Sequence, residues 1–192
     1  MGAGASVQTA QLLKDIEGQN VDIRDEGLLR IIQIIQAEGK IAITLARDYN
    51  VIPVLTKIVS DKTMKVESRE AACEILFFLS SDNEIRKTMK QPEAGAVNVL
   101  LNIAENETGG KLFAKACRAC GRLGVTPQVN FVKLARQMKT VSGKMGNQKP
   151  NSDDLLNTSD AIWGLAVVPQ NRVPMANTKV GMIEALVTVI ND

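Results

Sequence analysis

The chain has 192 residues, a net charge of +2, only 3% aromatic residues and no histidine. The missing histidine removes the commonest general base and metal ligand, and the aliphatic composition predicts a core of Leu, Ile, Val and Ala suited to close helix packing. No apolar run approaches the roughly 20 residues of a membrane-spanning helix; the start lacks the regions of a secretory signal, and three cysteines without one suit a reducing cytosol.

The first six residues, Met1-Gly2-Ala3-Gly4-Ala5-Ser6, fit the pattern for N-myristoylation, which acylates the Gly2 amine once Met1 is removed. A flexible Gly/Ala start that matches by accident is the alternative reading. One myristoyl chain binds membranes only marginally, so a second signal is required. No cysteine lies nearby for palmitoylation, and Lys14 is flanked by Asp15 and Glu17. Val7, Ala10, Leu12, Leu13 and Ile16 predict an amphipathic helix from Ser6 to Ile16 that docks as a cap on the first repeat of the main domain. Residues 1–20 are therefore expected to form an N-terminal extension, and residues 21–192 the main domain.

From Asp25 onward apolar residues recur at three- and four-residue spacing, and no period-two segments interrupt them, so helices are expected throughout. Four segments resemble one another: Leu28–Ile35, Ala72–Leu79, Ala116–Leu123 and Ala161–Val168. Their starts lie 44, 44 and 45 residues apart, with small or apolar residues at positions one, four, five and eight of each. That spacing draws one buried stripe along a helix. A second set, Val51–Ile58, Ala96–Ile103 and Met182–Val189, is offset by 45 and 86 residues, close to one and two repeats. Between the sets, Gln128 to Met138 predicts one amphipathic helix, and Thr140 to Ser152 reads as a long loop.

Period and order together resemble the armadillo repeat. Asn50-Val51-Ile52-Pro53-Val54-Leu55 and Gly181-Met182-Ile183-Glu184-Ala185-Leu186 are similar to the start of that family's middle helix, and Ala161-Ile162-Trp163-Gly164-Leu165 to its third helix. The resemblance runs from about Asp25 to the last residue. It implies an all-α, right-handed α-solenoid of about three and a half to four repeats, with HEAT-like repeats as the structural alternative. It further implies that third helices line a partner-binding groove formed by Arg30, Ile34, Glu74, Phe78, Arg118, Arg122, Trp163 and Val167. In that register Arg118 stands where the family has a groove Trp and Arg122 where it has a groove Asn. Ile34, Phe78 and Val167 occupy other Asn places, so the asparagine ladder that holds an extended peptide is missing, against a nuclear-import adaptor.

Charge sharpens this picture. Nine basic residues and no acidic ones lie between Thr108 and Ser152, which leaves −7 on the rest of the chain. Lys111, Lys115, Arg118 and Arg122 share one helix face as a basic patch. A solvated face is the plain reading; an acidic helix or extended peptide, or an anionic membrane surface, is the functional one. Trp163 is the expected hot spot, with packing against the next repeat as its alternative. Phe113 and Phe131 are too few for a base-stacking platform, which argues against nucleic acid.

Cys117-x-x-Cys120 has no second ligand pair and sits in a helical stretch, so core packing is expected, with no metal and no cofactor. No Gly-rich phosphate loop, paired carboxylates or activated nucleophile appear, and no enzymatic activity is expected. Finally, the last helix shows an apolar face of Met182, Ile183, Leu186, Val187, Val189 and Ile190 with no later helix to cover it, so the helix caps inward, the face binds another chain, or the sequence is part of something longer, the last two being favoured. The expectation is a scaffold or adaptor in the cytoplasm, tethered at the cytoplasmic face of a membrane through acylated Gly2. The alternative is a structural subunit of a larger assembly, cytoskeletal or ciliary, that binds through Met182, Leu186, Val189 and Ile190.

Overall fold

The computed structural model describes the backbone of residues 3–18, 20–37, 39–107, 109–141 and 152–190, and the side chains of these except 3–9, 39, 40, 42 and 188–190. Among the described residues all regular structure is helical, with no strand. The chain divides into two compact units, Met1–Val99 and Leu100–Asp192. No described helix is long and apolar enough to cross a membrane.

The first unit holds α1(Ala3–Glu17), α2(Val21–Ala37), α3(Gly39–Asp48), α4(Val51–Ser60), α5(Val66–Leu79), α6(Asn83–Met89), a 3-10 turn at Pro92–Ala94 and the start of α7(Ala96–Asn106). Helix α1 packs on α2 and α4 and buries Leu12, Leu13 and Ile16. Helix α2 starts four residues before the apolar period does, because the Asn20 side chain accepts the Asp22 and Ile23 amides and fixes the first turn. Asn50 turns the chain into α4 with a left-handed backbone, φ 49°. Pro53 comes within the first turn of that helix, where its missing N–H costs no bond. Helix α5 packs against both α4 and α2. Asp82 starts α6 by accepting the Glu84 and Ile85 amides at 2.9 and 3.0 Å. These bonds, the Ile85 one foremost, hold its carboxyl below the usual range.

The second unit continues from α7 through α8(Gly110–Leu123), α9(Phe131–Val141), α10(Ser152–Val167), α11(Pro169–Ala176) and α12(Met182–Ile190). Helices α8 and α10 form its tightest pair, and the reason is two glycines. A Cβ on Gly121 would overlap the Gly164 carbonyl oxygen, and one on Gly164 would lie 2.6–2.7 Å from backbone atoms of Cys117 and Arg118. The backbones touch because neither helix carries a side chain at the crossing. Pro169 ends α10, and α11 then caps it: Asn171 Nδ2 donates to the Leu165 carbonyl at 3.0 Å, and Arg172 Nε donates to that of Ala166 at 3.0 Å.

The repeated stripe faces the interior of both units. Positions one, four, five and eight of the four segments lie in or directly after α2, α5, α8 and α10, and all are buried except Ile32, which is half-buried. Helix α9 starts at Phe131, three residues later than the pattern suggests, because the Asn130 side chain caps it by accepting the Lys133 amide. It also runs on through Thr140 and Val141, and Ser152 already belongs to α10, so both ends of the expected loop are helical. Residues 142–151 lie outside the described residues, as do Met1 and Gly2.

Candidate functional site

Within the second unit, the outward face of α10 carries Leu156, Asp160, Trp163 and Val167 at spacings of four, three and four, one stripe along a helix. The faces of α10 are sharply sorted: Ala161, Gly164 and Leu165 point into the crossing with α8, while Trp163 is 52% exposed. Leu156 and Val167 are also exposed. An indole half in water at the centre of an apolar stripe is unusual for a side chain that mostly ends up covered. Leu156 is not marked by the repeat pattern; its place two turns before Trp163 is the signal that could have found it.

Helix α8 sets its basic row beside this stripe. Lys111 is exposed, and Lys115, Arg118 and Arg122 are half-buried. Arg118 Nη1 meets Asp160 Oδ2 at 3.1 Å, so the first cation of the Arg118 and Arg122 pair is already met by a carboxylate from the neighbouring helix. The row contains no acid in sequence, but the α8–α10 crossing brings one in from 42 residues away. The result is an edge of mixed character, with exposed apolar side chains on one helix and cations on the next, the Arg118–Asp160 ion pair joining the two.

The other residues expected in a groove belong to the first unit. Arg30 on α2 is exposed and pairs with Glu26 at 3.2 Å one turn earlier. Half-buried Ile34 borders, with Arg30 and Gln33, an open hollow of about 410 Å³ whose other wall is Gln11, Leu12 and Asp15 of α1. Glu74 and Phe78 on α5 are half-buried, and the Phe78 ring lies 5.6 Å from that of Phe77.

The C-terminal face also needs correction. Helix α12 packs on α9, with Lys139 bonded to Glu184 at 3.2 Å. Met182 is buried there with Ala185, against an α9 face of Leu134, Ala135 and Met138. Met182 is thus core. A helix apolar on two sides has covered one of them and left Ile183 and Val187 exposed, with Leu186 half-buried between. The side chains of Val189 and Ile190 lie outside the described residues.

No protein-family model, curated protein or solved structure matches the chain.

All three cysteines are buried, Cys117 and Cys120 in α8 as core side chains. Burial, with the Glu105 charge adding to it, pushes the Cys120 thiol up to about 12 from an ordinary 9.0. The raised value has a definite sign in stability. The neutral thiol's contribution is whole below about pH 9 and is lost as pH rises towards 12, because the unfolded chain ionises first. The native protein is expected to leave all three thiols unreacted with Ellman's reagent at pH 8, and the denatured protein to react at all three. Rapid reaction of a native thiol would contradict this placement.

Proposed function

We propose that the chain is a non-enzymatic interaction scaffold whose partner surface is the edge formed by α8 and α10. The single observation that carries this is the half-exposed Trp163 between exposed Leu156 and Val167, beside the cationic row ending in Arg118 and Arg122. Trp and Arg contribute most to interface energy when they become desolvated together. An apolar stripe flanked by cations fits a helix that is apolar on one face and acidic at its edge, which docks as a helix in a groove. The buried stripe recurring every 44 or 45 residues supports an armadillo-type solenoid as the frame, with Arg30, Ile34, Glu74 and Phe78 as the corresponding positions in the first unit.

Trp163 is the chain's only tryptophan, so its emission reports on this surface alone. Titration with an acidic, Leu-striped helical peptide is expected to shift that emission to the blue as the indole leaves water. A basic peptide with the same Leu stripe should leave it unmoved. Equal shifts with both would reduce the surface to a sticky apolar patch and remove the charge argument.

The myristoylation pattern at Gly2 supports reversible tethering at a membrane, with the cations of the second unit as the additional signal that one acyl chain needs. Gly2→Ala is expected to move the protein from the membrane to the soluble fraction of a eukaryotic cell without changing its helicity. Persistence of the variant on membranes would rule out the acyl tether.

A further inference from the structure

Among the described residues, Arg24 is the one cation of the first unit that the fold buries, and it is buried without an ion pair. It sits in the first turn of α2 and is 6% exposed, and its Nε finds no hydrogen-bond partner among the described residues. Such a group is costly: a guanidinium taken out of water loses several kcal/mol of hydration unless an anion replaces the solvent. The cost is odd here because the same turn is acidic. Asp22, Asp25 and Glu26 flank Arg24 in sequence, yet the fold directs all three elsewhere. Lys65 reaches Asp22 at 3.6 Å and Asp25 at 3.4 Å, the Ser68 hydroxyl donates to Asp25, and Glu26 turns to Arg30.

Arg24 lines a cavity of about 330 Å³ instead, within the size range of small-ligand sites. Its other walls are Ile16 and Glu17 of α1, Val54, Lys57 and Ile58 of α4, and Met64 in the turn beyond. Four of these are aliphatic or thioether side chains. Lys57 supplies a second cation and makes no ion pair among the described residues. Two acids are near. Glu17 is exposed on the wall. Asp61 is engaged by Thr63, whose hydroxyl and amide donate to it at 2.6 and 2.9 Å. Those bonds first, and then the charges of Arg24 and Lys57, hold the Asp61 carboxyl below its usual range.

We propose that this cavity is a binding site for an aliphatic monocarboxylate, its charged end on Arg24 and its chain along Ile16, Val54, Ile58 and Met64. A guanidinium presents a planar fork that matches the two oxygens of a carboxylate. Arg24 and Lys57 set against Glu17 leave the lining with a net charge of +1, which a single negative charge balances. A phosphate dianion would demand more donors than the walls provide and would be repelled by Glu17 and Asp61. The apolar walls reward a chain that a bare anion lacks.

The test is NMR on the whole chain, reading the Arg24 side-chain Nε–H resonance during titration with octanoate, octanol and inorganic phosphate. Octanoate is expected to shift it saturably, with octanol and phosphate without effect. Arg24→Met should abolish octanoate binding. Lys57→Glu, at an exposed position that leaves the fold intact, should weaken it by about tenfold or more. If Arg24→Met fails to fold, the Lys57→Glu affinity decides alone, and an unchanged value overturns the proposal. An equal response to octanol would show an apolar crevice with no anion site, and tighter binding of phosphate would show the wrong ligand class; either result overturns the proposal.

Discussion

Gly164→Ala is expected to destabilise the second unit by about 3 kcal/mol or more, a large share of what holds a domain of this size together. Helix propensity alone predicts the opposite sign, since alanine within a helix is favoured over glycine by up to about 1 kcal/mol. Sterics win because the added methyl would meet backbone, at 2.6–2.7 Å from Cys117 and Arg118 atoms, and backbone in a helix cannot swing aside as a side-chain tip does. The two helices would have to separate, which would open the packing of Ala116, Cys117, Cys120, Ala161 and Leu165 along the whole crossing. Gly121→Ala should behave alike, its methyl falling on the Gly164 carbonyl oxygen. Urea unfolding followed by circular dichroism checks both. A midpoint that rises with either alanine would mean that α8 and α10 do not approach this closely.

Much of this crossing is legible in the sequence, and the limit is instructive. Gly164 occupies position four of a repeated segment, so its burial can be read from the stripe. Gly121 lies off the stripe, at position six, and nothing local marks it as the residue opposite. The same limit hides the Arg118–Asp160 pair. Asp160 immediately precedes the fourth segment, and only the register between helices 42 residues apart sets it against Arg118. Arg24 is the sharpest case. Its sequence neighbours are three acids, which local reasoning would pair with it; the fold sends those acids to Lys65, Ser68 and Arg30. On α12, apolar residues on two sides left the choice of buried face open, and packing on α9 took Met182 and Ala185. Periodicity settles which faces are apolar; the choice of partner across a packing interface belongs to the tertiary level.

Reversing both charges of the α8 row, Arg118→Glu with Arg122→Glu, is expected to weaken capture of the acidic helix by at least about thirtyfold, near 2 kcal/mol. Two effects add. The cations that attract the acidic edge are lost, and carboxylates replace them beside Asp160, so the approaching helix meets like charge. The fold should survive, because the Arg118–Asp160 pair is about one-third exposed on either side and such pairs contribute no more than about 1 kcal/mol to stability. Arg118→Gln with Arg122→Gln removes the attraction without the repulsion and should fall between the native and reversed proteins. Binding that is indifferent to both double variants, with helicity preserved, would move the site off this edge.

We propose that a partner sits on the edge around Trp163. It is tested most directly by placing a photo-crosslinking phenylalanine analogue at position 163 in living cells and sequencing what becomes attached. A parallel probe at Val173, 80% exposed on the same unit, reports background. The expected result is one dominant adduct at 163, on a segment with apolar residues at helical spacing and net negative charge, that disappears when Arg118 and Arg122 are reversed. Adducts at 163 no different from those at 173, or on a basic segment, would contradict the account.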